Sequence, residues 1–171
     1  MSDNPSAGVR ADHAEVDIGL LRIDHVGVAV AELDPAIDFY TRVFGMRCVH
    51  REHNAEQGVD EAMLAVGPAG TGGHLQLLAP AGPDSAIGRF LQRHGPGLQQ
   101  VAYTVVDVDA AAAALRGRGL RLLYDEARRG TAGSRINFVH PRDAGGVLVE
   151  LVEPAEHAAA RDTPASGDTG E

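Results

Sequence analysis

Four polar side chains stand where this sequence otherwise predicts buried strands. His25 lies near the head of the run Ile23-Asp24-His25-Val26-Gly27-Val28-Ala29-Val30, and Gln100 holds the same place in Leu98-Gln99-Gln100-Val101-Ala102-Tyr103-Thr104-Val105. Gln76 lies within Leu75-Gln76-Leu77-Leu78-Ala79-Pro80, and Glu150 within Val147-Leu148-Val149-Glu150-Leu151-Val152. An ionised carboxylate in such a strand is costly unless it is paired or holds a cation. Imidazole nitrogen, amide oxygen and carboxylate oxygen all ligate divalent metals. Taken singly, His25 is a hydrogen-bonded structural histidine and Glu150 an edge carboxylate. Taken together they describe a metal site, provided the fold brings them to one place.

An internal repeat supplies that provision. His25 and Gln100 are 75 positions apart, and Gln76 and Glu150 are 74 apart. Each first strand leads through an acidic turn into a helical segment that ends at Gly45 or Gly119, where a left-handed cap costs little. Equivalent positions of two such modules are related by a pseudo-twofold axis. Two pairs of equivalents then converge near that axis. The period is too long for a solenoid unit, so each module is about half a domain.

The elements follow from hydrophobic period and breakers. Module one predicts a strand over 23–30, a helix over 35–44 and strands over 46–52, 59–66 and 74–78. Ile37, Tyr40, Val43 and Phe44 give its helix the apolar spacing. Residues 53–58 form a polar loop and 67–73 a glycine-rich turn. A linker helix over 85–94 stops at Gly95-Pro96-Gly97. Module two repeats the order with strands over 99–105, 121–125, 135–139 and 147–152 and a helix over 110–118. The class is α+β, with two β-α-β-β-β modules.

The 171 residues suit one domain, placed at 20–154: module one at 20–80, linker helix at 83–95 and module two at 97–154. Residues 1–19 and 155–171 are small, polar and unpatterned, and are expected to be disordered tails. The net charge of −9 argues against nucleic acid and anionic membrane as partners. Cys48 is the single cysteine, so no internal disulfide forms, which fits a reducing compartment. No apolar leader core and no stretch of ~20 apolar residues is present. The expected setting is the cytoplasm.

With these stretches in hand, the sequence resembles the methylmalonyl-CoA epimerases of the glyoxalase-like vicinal oxygen chelate superfamily. The matching stretches include Ile23 to Gly27, Glu56-Gln57-Gly58, Leu75 to Pro80, Pro83-Asp84-Ser85, Arg135 to Pro141 and Gly145-Gly146-Val147-Leu148-Val149-Glu150-Leu151. The resemblance implies a curved, cup-like mixed sheet. It also implies a divalent metal ion (Co, Mn, Mg or Zn) on His25, Gln76, Gln100 and Glu150, and an acyl-CoA thioester substrate. Glu61 is implied as general base, and Glu150 as a candidate second acid or base. A homodimer is expected because the fold often dimerises. The chain departs from the family at Gln99-Gln100, where two histidines are usual. An amide oxygen at Gln100 is harder than imidazole, which favours Mg²⁺ or Mn²⁺. A site with extra water, or loss of the metal and with it of turnover, are the other outcomes, and the last describes a small-molecule binding protein. His74, two residues from Gln76 and so on the same strand face, is read as an ordinary turn-edge histidine, with a substitute ligand as the alternative. Arg135, the repeat equivalent of Glu61, is expected at a solvated strand start, and Asp24 is expected to do no chemistry.

Overall fold

The computed structural model describes residues 17–68 and 72–157. Its elements, in chain order, are β1 (Leu20–Ala29), α1 (Leu33–Phe44), β2 (Arg47–Asn54), β3 (Val59–Ala65), β4 (His74–Pro80) and α2 (Ala86–His94). They continue with β5 (Gly97–Val105), α3 (Val108–Gly117), β6 (Arg128–Arg129), β7 (Arg135–Val139) and β8 (Leu148–Glu153). The strands form one sheet in the order β2-β3-β4-β1-β5-β8-β7-β6. That order is the repeat made visible. β1 and β5 meet antiparallel at the centre, and each carries its own parallel partner, β4 or β8. In the central pair His25 lies opposite Ala102, and Gly27 opposite Gln100.

Strand alternation sorts the side chains onto two faces. Ala62, Leu64 and Leu77 are buried against Leu33, Ile37 and Tyr40 of α1. Val105, Val139 and Leu151 are buried with Val108 and Ala111 of α3. Each large side chain so buried contributes roughly 1.5–3 kcal/mol. The neighbouring positions, Val59 and Glu61, Gln76 and Leu78, Leu148, Glu150 and Val152, fall on the other face. There Ile87 of α2, with Phe90 and Leu91 around it, packs on Ala29, Val59 and Leu78 and covers one end of the cup.

The helix ends follow the sequence. α1 stops at Gly45, whose φ of 67° lets its N–H reach the carbonyls of Tyr40 and Thr41. Ser85 Oγ accepts from Gly88 N at the start of α2, and Asp107 accepts from Asp109 N and Ala110 N at the start of α3.

Two expectations need correction. The strand over 121–125 is reduced to a single bridge, Leu122 with Val139. The Asn137 amide takes over the ladder, accepting from Tyr124 N and donating to Tyr124 O, while Arg116 holds the carbonyls of Tyr124 and Asp125. The edge strand forms later, at β6, against Ile136 and Arg135. Residues 17–19 and 155–157, assigned to the expected tails, are held against the domain. Ile18 packs with the Val105 cluster, Gly19 O accepts from Val106 N, and His157 N donates to Pro154 O. The rest of the expected tails, 1–16 and 158–171, lies outside the described residues.

Candidate functional site

The fold brings the four polar strand residues together. Gln100 Nε2 is 2.5 Å from Glu150 Oε2, 3.3 Å from Gln76 Oε1 and 3.4 Å from His25 Nε2. His25 Nε2 is in turn 3.1 Å from Glu150 Oε2. All four residues are buried. Gly27 makes the approach possible, because a Cβ there would stand 2.5 Å from Gln100 Cγ.

Glu61 adjoins this cluster on β3. Its Oε2 accepts from Gln76 Nε2 at 2.9 Å, and its Oε1 accepts from Thr131 Oγ1 at 2.8 Å. Thr131 Oγ1 also accepts from Gln76 Nε2 at 3.0 Å. Burial pushes the Glu61 carboxyl up to about 7; the Thr131 hydroxyl opposes the shift, and the carboxylates of Glu52 and Glu150 add to it. Glu52, directly across the β2–β3 hairpin, is held below the usual carboxylate range. Its modest burial works against this, but the His50 ring and the Ala132 N–H outweigh burial.

Asp24 has a part that the sequence did not reveal. Its Oδ1 accepts from His25 Nδ1 at 2.9 Å, and its Oδ2 accepts from Thr104 Oγ1 at 2.7 Å. Burial would raise Asp24, yet the His25 and Thr104 hydrogen bonds bring it down to about 2. The same burial would lower His25, and the Asp24 and Glu150 carboxylates instead raise it to about 9. A carboxylate on Nδ1 fixes the imidazole so that Nε2 faces the cluster, the arrangement found behind metal-ligating histidines. The signal was available as an acidic neighbour to the key histidine.

Thr131 was also missed. It belongs to a short 3-10 turn, Thr131–Gly133, that reaches from module two across to β2 and β3. Ala132 within it holds φ 53°, a left-handed conformation that favours glycine. Its N–H donates to Glu52 Oε2 at 3.1 Å.

Other candidates lie elsewhere. His74 is in register with His25 and lines a neighbouring cavity of about 340 Å³, but makes no hydrogen bond to the four clustered side chains. Arg135 is committed to Asp109 and Glu153. Glu61, Gln76, Gln100 and Glu150 line one cavity of about 110 Å³, on the order of four water volumes. Leu78, Ile136, Phe138 and Leu148 form its apolar wall.

The model of the Glyoxalase/Bleomycin resistance protein/Dioxygenase superfamily matches residues 24–138. The mouse mitochondrial methylmalonyl-CoA epimerase is 38% identical over 131 residues, 76% of this chain and 71% of that protein. The chain belongs to this superfamily and, within it, to the methylmalonyl-CoA epimerase family. The fold agrees. The methylmalonyl-CoA epimerase of Mycobacterium tuberculosis superposes with a TM-score of 0.78 at 53% identity, covering 86% of this chain and 97% of that one. A methylmalonyl-CoA epimerase in complex with methylmalonyl-CoA and NH4+ gives 0.75 at 50% identity, covering 80% and 96%. The methylmalonyl-CoA epimerase family thus accounts for the cup-like sheet.

Proposed function

We propose that the chain is a metal-dependent epimerase that interconverts (2R)- and (2S)-methylmalonyl-CoA or a close 2-alkylmalonyl-CoA. One observation carries the reading: a buried glutamate, Glu61, shares a cavity wall with the converging Gln76, Gln100 and Glu150. The solved complex of a family member with methylmalonyl-CoA supports the substrate.

The donor set fits a cation. Two acceptor oxygens, on Gln76 and Glu150, and the His25 ring nitrogen all crowd the one amide nitrogen of Gln100. Turning the Gln100 amide over would present an oxygen as fourth donor. Among the described residues no three His, Cys, Asp or Glu side chains form a metal-holding group, so the site needs both amides. With one imidazole, two amides and one carboxylate it is mostly oxygen, which favours Mg²⁺ or Mn²⁺ over later metals. A divalent ion on His25, Gln76, Gln100 and Glu150 supplies positive charge where the substrate's carbonyl and carboxylate oxygens become electron-rich.

The substrate carries an acidic C–H between a thioester and a carboxylate. Glu61 takes that proton; the C–H electron pair moves into the enolate, and the carboxylate becomes an acid. Gln76 and Thr131 hold its two oxygens, so it does not swing. A carboxyl near 7 can both accept and return a proton at neutral pH. Inversion requires a proton on the opposite face. Glu150, on β8 across the cluster, is the side chain proposed to deliver it, from a carboxyl oxygen that is not turned to the cation and that enters the cycle protonated; Glu61 then releases its proton to solvent and Glu150 regains one.

The reading is tested by deuterium uptake at the α-carbon in D₂O, which falls by about 10²–10⁴-fold in Glu61→Gln for the epimer whose proton faces Glu61. It includes a homodimer in the cytoplasm. Leu20, Leu21 and Ile23 of β1 are at least half exposed, apolar surface for a second copy. A monomer by light scattering would remove the dimer alone.

A further inference from the structure

One proton has no route through the acyl cavity. Glu61 takes it from the substrate and must give it to solvent before the next turnover, yet Glu61 is only 3% exposed. The cavity of about 110 Å³ beside it is the size of a small acyl head, which fills it when substrate is bound. The proton therefore has to leave on another side, away from the bound substrate.

Three features mark that side. First, ionisable side chains continue outward from Glu61 without a gap. Glu52 stands directly across the hairpin on β2, and the two carboxyl groups share a hydrogen bond. Neighbouring carboxylates repel, so a pair this close shares a proton. His50, two residues from Glu52 and so on the same face of β2, brings Nε2 to 2.6 Å from Glu52 Oε2. The Glu52 and His50 side chains are 19% and 37% exposed, so the three groups step from the interior to the surface. Second, His50 opens onto the neighbouring cavity of about 340 Å³, whose walls include Asp24, His74 and Glu156. That cavity meets the acyl cavity at Thr131 and Glu150. Third, one turn holds both carboxyl groups. Thr131 Oγ1 donates to Glu61 Oε1 at 2.8 Å, and Ala132 N donates to Glu52 Oε2 at 3.1 Å. Ala132 does so at a φ of 53°, a costly conformation for a residue with a side chain.

We propose that Glu52 and His50 relay the proton of Glu61 to and from solvent, a reading that rests on Glu61 as the base assigned above. Protonated Glu61 gives its proton to the Glu52 carboxylate and returns to its ionised form. Glu52 gives a proton to Nε2 of the neutral His50 ring, and the imidazolium releases its Nδ1 proton to solvent. Each step moves one proton and no electrons, and exchange with solvent restores the starting tautomer of His50. Run backwards, the same steps reload Glu61 for the other epimer. The His50 ring and the Ala132 N–H hold Glu52 in its ionised form, so it passes a proton on and does not store it. Neither residue touches the substrate; both act through Glu61.

The test uses the full chain, its variants Glu52→Gln and His50→Ala, and methylmalonyl-CoA carrying deuterium at the α-carbon. Glu52→Gln keeps an acceptor oxygen for Ala132 N, and His50 lies on the edge strand, so both variants fold. In the parent, a deuteron taken by Glu61 leaves to solvent before it can return. In either variant it stays on Glu61 and goes back to the same carbon. Washout from the epimer that faces Glu61 falls roughly tenfold, less than the 10²–10⁴-fold that loss of the base itself costs. kcat falls with it, while kcat/KM is nearly held, because at low substrate the base has time to clear between turnovers. Imidazole in the buffer restores His50→Ala and leaves the parent unchanged. Unaltered washout and kcat in both variants overturn the relay and leave the epimerase standing. A loss of kcat/KM that imidazole does not restore also overturns it, since Glu52 and His50 then only hold the Thr131–Ala132 turn. If the parent itself washes out no label, the base assignment falls and the relay falls with it.

Discussion

Gly27 and Gln100 should be energetically coupled, and the coupling can be sized from the structure. Gly27→Ala would place a methyl 2.5 Å from Gln100 Cγ, 3.1 Å from its Cδ and 3.3 Å from Leu78 Cδ1. Carbon atoms rest at 3.5–4.0 Å, so the first contact is about 1 Å too close. Gln100 must swing off the cluster, and overpacking of this kind costs roughly 1–3 kcal/mol. For a domain of this size that lowers Tm by roughly 3–10 °C. In a Gln100→Ala background the Cγ is gone, and only the milder Leu78 contact remains. Gly27→Ala should then cost ~1 kcal/mol less than it does in the parent. Urea unfolding of the four proteins in chelator measures this directly. Additive effects, within about 0.3 kcal/mol, would refute the placement of Gln100 across Gly27.

Other predictions concern the base and its supports. Glu61→Gln should reduce α-proton exchange by about 10²–10⁴-fold with the fold intact. It should also stabilise the metal-free protein. Glu61 ionises near 4.5 in the unfolded chain and about 7 in the fold. The folded state therefore binds more protons between these values, and stability falls as pH rises from about 4.5 to about 7. The variant should gain up to about 3 kcal/mol over the parent above pH 7, and the gap should close on going to pH 4.5. Thr131→Val removes a hydrogen bond that favours the Glu61 carboxylate. The acidic limb of kcat/KM should move to higher pH, and an unmoved limb would count against Thr131. Glu153 is fully buried and accepts from Val108 N and from Arg135. Glu153→Ala should cost about 2–4 kcal/mol in thermal or urea unfolding, through the buried Val108 N–H left without its acceptor and the space left by the side chain, while Arg135 keeps Asp109.

The repeat was the legible part of the fold. Its two halves, its helix caps and the convergence of His25, Gln76, Gln100 and Glu150 all follow from spacing, because symmetry converts sequence offset into proximity. Its one structural failure, the strand over 121–125, came from a side chain. Asn137 offers an amide that competes with the backbone ladder, and nothing in strand periodicity reports that. Thr131 was hidden for a different reason. It reaches Glu61 across the cup on a turn whose path depends on the whole sheet closing. Glu52 faces Glu61 only once the hairpin register is known, and a one-residue slip would turn it to the other face. Asp24 was the avoidable omission, since an imidazole meant to ligate needs a partner on its other nitrogen.

The central claim is that the Gln100-containing cluster holds a divalent ion and that Glu61 exchanges the substrate's α-proton beside it. One measurement addresses it most directly: metal content of protein purified without added metal or chelator, with methylmalonyl-CoA in D₂O run on the same sample. Near-stoichiometric metal with deuterium at the α-carbon is the predicted result. Neither metal nor exchange, even after Co²⁺, Mn²⁺ and Mg²⁺ are added back, would contradict it and leave a protein that binds its ligand without turnover.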